Sequence, residues 1–83
     1  RNIPVWALET TSHSRIYTAV QYPRPLALVL GNEALGVDHQ VLEQCDELIQ
    51  IPMYGFKNSL NVASACAVVV FEILRQWQNG PKH

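Results

Sequence analysis

A layered α/β fold built on a parallel sheet is what this chain predicts, and three observations carry the expectation. Short apolar runs recur at Ile3–Leu8 (IPVWAL), Leu26–Leu30 (LALVL) and Leu48–Ile51 (LIQI), each too short for a helix. Helical patterns follow the second and third runs, giving the order β–loop–β–α–β–α. The run LALVL is apolar without alternation, as expected of a strand covered on both faces of a parallel sheet.

Taken in order, Ile3–Leu8 has the β-branched and aromatic character of a buried strand. Glu9–Ser14 (ETTSHS) reads as a polar loop. Arg15–Val20 is ambiguous between an edge strand and one helical turn. Tyr22-Pro23-Arg24-Pro25 is irregular, because its prolines lack N–H donors and restrict their neighbours. Leu26–Leu30 runs into Gly31-Asn32-Glu33-Ala34-Leu35-Gly36, and Asp38 then caps a short helix with Val41, Leu42 and Cys45 on its buried face. Pro52 ends the strand Leu48–Ile51. Ser59 is a suitable cap for a helix over Leu60–Trp77, closed by Asn79-Gly80-Pro81. That helix is apolar on nearly every side, which predicts burial all round: it must pass through or between other layers.

Composition narrows the class. Eighty-three residues make one domain at most, burying about 60–65% of the chain's surface. Yet 48% are hydrophobic, which implies a globular chain whose surplus apolar surface is covered by a second chain or by further sequence. The formal net charge of −1 exerts no global pull toward nucleic acid and counts against an autonomous nucleic-acid-binding module. Cys45 and Cys66 form no CxxC and read as buried, reduced thiols. His13, His39 and His83 lack metal-ligand spacing, so no metal is expected. The apolar run Val62–Phe71 falls short of the roughly 20 residues a bilayer needs, so no membrane span is expected either. A start at Arg-Asn-Ile-Pro, without an initiator Met or a signal-peptide core, reads as a piece of something longer.

Two stretches carry chemistry. LVLGNEALG takes a strand into a glycine-bracketed loop, where ligands collect in open α/β sheets. Gly31 there lets a ligand approach the backbone and Gly36 permits a turn, although an ordinary βα turn has the same pattern. Glu33 is either a solvated loop acid or one tucked in and paired. IPMYGFKNSLN repeats the geometry one strand later. There Ser59 is at least a helix cap, and Asn61, two residues into a buried helix, needs partners for its amide. Together the loops would form a cleft lined by backbone groups, Ile51, Met53 and Leu60, suited to a flat, partly apolar ligand such as an adenosine. No GxGxxG or GxxxxGK[ST] phosphate loop is present, nor a Ser/His/Asp or Cys/His arrangement.

LVLGNEALGV followed by IPMYGFKNSLNVASACAVVVFEILRQ closely resembles the second and third signature motifs of the SpoU-type RNA ribose 2′-O-methyltransferases, of the SPOUT class. The match covers Leu26–Gln76, and VWAL is similar to the family's preceding cofactor-lining strand. The resemblance implies that residues 1–83 are the C-terminal part of an α/β-knot domain. In that fold a deep trefoil knot threads the last strand and helix through a backbone loop, which would account for the all-round apolar helix. It further implies S-adenosyl-L-methionine lined by Leu8, Gly31, Ile51, Met53, Ser59 and Leu60, with Glu33, Ser59 and Asn61 as polar active-site residues. A tRNA or rRNA substrate, a cytoplasmic setting and a homodimer packed through the knotted region are implied as well.

One departure stands out. The family's first motif, an Asn with a catalytic Arg several residues on, belongs upstream of the first strand, and Arg1, Arg15, Arg24 and Arg75 do not match it. Two readings therefore compete: the cofactor-binding part of a methyltransferase, and a non-catalytic knotted dimerisation fragment. A generic nucleotide-binding α/β domain is disfavoured by the missing phosphate loop.

Overall fold

Four parallel strands form one sheet in the order β2-β4-β1-β3. The structure, a computed structural model, describes residues 3–31, 36–52 and 61–79. Strand β1 is Val5–Leu8, β2 Arg15–Ile16, β3 Ala27–Leu30 and β4 Glu47–Gln50; helix α1 is His39–Glu43 and α2 Val62–Asn79. The predicted parallel α/β layering is what is observed, and the ambiguous stretch after Ser14 is a two-residue strand. Last in sequence, β4 lies between β1 and β2, with Leu8 level with Ile49 and Arg15 level with Ile49 on its other side. Asp46 anchors its start: its carboxylate accepts from the Val5 N–H at 2.7 Å while its own N–H donates to the Val5 carbonyl at 2.7 Å.

The pleat sends Trp6, Leu8, Leu28 and Ile49 to one face, because residues level in a ladder share a face and every second residue returns to it. That face meets α2. Trp6, Val20, Tyr22, Ile49, Val69 and Ile73 form the core, with Leu8, Leu28, Ile51 and Trp77 packed around it. Ile49 and Val69 are fully buried. Each buried aliphatic side chain contributes about 1.5–3 kcal/mol.

The expectation for the long helix needs correcting in two respects. It begins at Val62, with Asn61 at its cap, rather than at Leu60. And only Val69 and Ile73 are buried, while Val70, Leu74 and above all Phe71, 71% exposed, face outward. Positions 69 and 73 lie four apart on one stripe, and the sheet meets that stripe alone. The chain has apolar residues for a second layer opposite, and no described residue forms one. For the same reason LALVL, expected to be covered on both faces, is an edge strand with Ala27 and Leu30 exposed. Asp38 caps α1 as predicted, accepting from the Gln40 N–H at 2.8 Å, yet no α1 side chain is buried and Val41 is exposed. Five residues are too short to lay an apolar stripe along the sheet. Cys45 and Cys66 are free, as expected, but half-buried.

The C-terminal part of α2 is tied to the strap between β2 and β3. The Gln76 side chain accepts from the Tyr22 N–H at 3.0 Å and donates to the Val20 carbonyl at 2.8 Å. Trp77 donates its indole N–H to the Tyr22 carbonyl at 3.2 Å, and the Arg24 guanidinium lies 4.8 Å from the Trp77 ring centroid. Tyr22 stacks on Trp6 and donates its hydroxyl to the Tyr17 carbonyl at 2.6 Å; burial, with Glu72 nearby, pushes that phenol well above its ordinary range. Glu72 accepts from Arg75 at 2.9 and 2.8 Å and from the Gln76 amide at 2.9 Å, which holds its carboxyl at about 2, against an ordinary 4.5.

That depressed value fixes the sign of a pH effect. Glu72 stabilises the folded chain above its unfolded pKa, and the contribution drains away as pH falls from about 4.5 toward 2. Melting temperatures measured across that window should fall more steeply for the parent protein than for Glu72→Gln; parallel curves would refute the assignment.

Candidate functional site

Because all four strands are parallel, their carboxyl ends share one edge, where ligands bind in open α/β sheets. Leu8 is level with Leu30 on one side and Ile49 on the other, so the chain leaves β1, β3 and β4 at nearly one height. Neighbouring strands lie about 4.8 Å apart. The Glu9 N–H, donating to the Ile49 carbonyl at 2.9 Å, carries the β1–β4 ladder one residue past β1. The fold thus brings together Leu8, Gly31 and Ile51, with Leu8 and Ile51 half-buried at the margin of the core. Glu33, Met53, Ser59 and Leu60 lie outside the described residues.

Gly31 is required for a reason other than the one inferred from sequence. A Cβ there would stand 2.4 Å from the Gly36 carbonyl carbon and 2.5 Å from the Val37 nitrogen. The space a side chain would take is filled by the chain itself, so the glycine lets residues 31 and 36 close on each other. Gly36 has φ +76°, the left-handed conformation that glycine adopts freely, as the turn reading anticipated.

Asn61 is placed differently from the expectation. It is exposed at the start of α2, and its Oδ1 accepts from the N–H groups of Ala63 at 2.7 Å and Ser64 at 3.3 Å. Its carbonyl accepts the first helical bond, from Ala65, at 2.8 Å. This is the geometry of a helix cap, the role assigned to Ser59 from sequence. Both residues are good caps, and nothing local separates two candidates two positions apart.

Glu9 was missed. One carboxylate oxygen accepts from the Val37 N–H at 3.1 Å, and both stand 3.0 Å from where a Gly36 Cβ would be. In sequence it opens a polar loop, and its partner lies 28 residues on, so no local pattern marks it. The loop it opens is held by hydrogen bonds. Ser14 Oγ donates to the Glu9 carbonyl, the Thr11 N–H donates to Ser14 Oγ at 3.1 Å, and the Gln50 amide donates to the Ser14 carbonyl at 3.0 Å. Among the described residues, the rim is made of main-chain groups, apolar side chains and the clamped Glu9 carboxylate.

Nucleophilic and metal chemistry find little support among the described residues. Burial, with Asp46 adjacent, pushes the Cys45 thiol up, and its Sγ donates to the Val41 carbonyl. No three His, Cys, Asp or Glu side chains are grouped to hold a metal ion among the described residues, and no helix there is long and apolar enough to cross a membrane.

An open parallel sheet, with Gly31 closed against Gly36 and Val37 at its carboxyl edge, defines an α/β domain of the layered class. The SpoU rRNA Methylase family model matches residues 1–71, and the chain belongs to that family. It is 38% identical over 76 residues to a tRNA (guanosine(18)-2′-O)-methyltransferase of Aquifex aeolicus, covering 92% of this chain and 36% of that protein. It is 42% identical over 78 residues to the 23S rRNA (guanosine-2′-O-)-methyltransferase RlmB of Haemophilus influenzae, covering 92% of this chain and 31% of that protein. Among solved structures, the A. aeolicus TrmH/SpoU tRNA modifying enzyme superposes with a TM-score of 0.82 at 37% identity, over 92% of this chain and 39% of that one. The SpoU methyltransferase AviRb from Streptomyces viridochromogenes, in complex with AdoMet, superposes with a TM-score of 0.84 at 29% identity, over 95% and 31%. The chain thus spans roughly a third of the length of these relatives.

Proposed function

We propose that the protein carrying this chain transfers a methyl group from S-adenosylmethionine to a ribose 2′-hydroxyl of tRNA or rRNA in the cytoplasm, this segment supplying the cofactor-binding part. The observation that carries the reading is the level carboxyl edge at which Leu8, Gly31 and Ile51 meet, with Gly31 closed against Gly36 and Val37. The AdoMet complex of AviRb supports it, as do the names of the RNA-methylating relatives.

The residues present fit such a cofactor. Half-buried Leu8 and Ile51 offer apolar surface to a flat adenine, and main-chain groups at the strand ends offer donors and acceptors to its edge. When bound, the cofactor supplies an electrophilic methyl on a sulfonium. This chain's part is then to hold and orient, since a single displacement depends on alignment and on removal of the hydroxyl proton. Glu33, Ser59 and Asn61 are assigned the polar part of the site, and Met53 and Leu60 further apolar contacts, on the motif resemblance. No residue assigned here deprotonates the hydroxyl. That task falls to the arginine motif found upstream in the family.

A second reading, a knotted dimerisation module without catalysis, is favoured by the outward apolar face of α2 at Val70, Phe71 and Leu74. We infer that a second copy covers it. The late insertion of β4 between β1 and β2 supports a threaded chain.

The deciding experiment is methyl transfer from labelled S-adenosylmethionine by the full-length protein to unmodified tRNA and 23S rRNA, followed by nuclease mapping. Label in an alkali-resistant dinucleotide, the signature of a 2′-O-methyl ribose, is the expected result. Label on a base would overturn the ribose target, and no label on either RNA would overturn the methyl-transfer reading and leave the dimerisation module.

A further inference from the structure

The geometry points to Glu9 as a positioning residue that sets cofactor affinity by latching the segment after β3 onto the end of β1. This inference rests on the reading above and adds a residue that neither the motif resemblance nor the comparisons assign.

Glu9 is the first residue past β1, directly after Leu8, and its backbone is already fixed to β4 through the Ile49 carbonyl. Its side chain reaches across to the other neighbour of β1, the chain leaving β3. There Oε1 accepts from the Val37 N–H at 3.1 Å, and both carboxylate oxygens lie close against Gly36, 3.0 Å from where its Cβ would be. One residue thereby joins the ends of β1 and β4 to the stretch at Gly36 and Val37. Gly31, directly after β3, closes on the same two residues. Two contacts thus hold Gly36 and Val37 beside the ends of β1 and β3.

The stretch needs such a latch. Gly36 sits at positive φ and has no side chain with which to pack. The hydrogen bond from the Val37 N–H ties that backbone to the end of β1. What counts on this account is reach: an acceptor oxygen at the end of a two-methylene side chain. Charge is secondary.

The test follows from that distinction. S-adenosylmethionine is titrated calorimetrically into the full-length protein and into Glu9→Gln, Glu9→Asp and Glu9→Ala, with the unliganded melting temperature of each measured alongside. Glu9→Gln keeps an acceptor oxygen at the right reach and should bind within about threefold of the parent; Glu9→Asp and Glu9→Ala fall short and should bind about tenfold or more weakly. Faster amide exchange at Val37 should accompany the weakened variants and not Glu9→Gln. Parent-like binding by Glu9→Asp with weakened binding by Glu9→Gln would overturn the latch, since charge would then be the operative property. So would parent-like binding by all three. A parent protein that fails to bind S-adenosylmethionine overturns the functional reading itself, an outcome distinct from either of these.

Discussion

Gly31→Ala should cripple cofactor binding although it adds a single methyl group. The new Cβ would stand 2.4 Å from the Gly36 carbonyl carbon and 2.8 Å from its Cα, both main-chain atoms that cannot rotate away. Overpacking of this kind costs about 1–3 kcal/mol, and more where the backbone is the obstacle. The strain is relieved only by parting residues 31 and 36, which disturbs the strand end beside Leu8. A loss of that size in the binding-competent arrangement corresponds to roughly ten- to hundredfold weaker binding. Gly31→Trp should abolish binding. Gly36→Ala offers an internal scale: its Cβ would meet only the end of the Glu9 side chain at 3.0 Å, leaving mainly a left-handed φ penalty of about 1–2 kcal/mol. Calorimetric titration with S-adenosylmethionine should therefore rank parent, Gly36→Ala and Gly31→Ala in falling affinity. Unchanged affinity in Gly31→Ala would remove the close approach from the account of the site.

The second large effect is expected in the core. Ile49→Ala removes a fully buried side chain from the strand that joins β1 to β2, opposite the equally buried Val69. Such truncations cost about 2–5 kcal/mol, and about 4–8 °C of melting temperature per kcal/mol in a domain of this size. A fall of about 10 °C or more is expected in thermal unfolding. Phe71→Ala, at a site 71% exposed on the same helix layer, should shift the isolated chain by no more than about 0.5 kcal/mol. If a second copy covers α2, Phe71→Asp should instead reveal itself as dissociation in sedimentation. A small shift in Ile49→Ala would mean that β4 does not hold the sheet together as described.

What the sequence discloses and what it withholds divide along physical lines. The strands around Trp6, Leu28 and Ile49 are legible because apolar runs of that length have few other uses. Their order is not, since β4 pairs with residues some forty positions earlier and nothing local in Glu47–Gln50 names its neighbours. Ser59, the cap expected from sequence, lies outside the described residues, and α2 starts at Val62 with Asn61 as its cap, two residues past the start read from sequence. Its burial was misread because an apolar surface predicts a cover without saying which chain provides it: Val69 and Ile73 find theirs in the sheet, and Phe71 does not. Leu8, Gly31 and Ile51, which the motif resemblance implies for the site, lie at one edge of the sheet, and that placement follows from parallel pairing. The closure of Gly31 on Val37 and the reach of Glu9 are long-range contacts, invisible to any local pattern.

The position of β4 also bears on how the chain acquires its shape. β1 and β2 precede it and never touch in the finished sheet, so a slot one strand wide must stay open between them until residues 47–50 arrive. Until then both strands present unsatisfied N–H and C=O groups to that slot, an invitation to pair wrongly. Long-separation parallel pairing is slow to form. These strands are therefore most exposed to wrong pairing in the interval between the making of β1 and the making of β4.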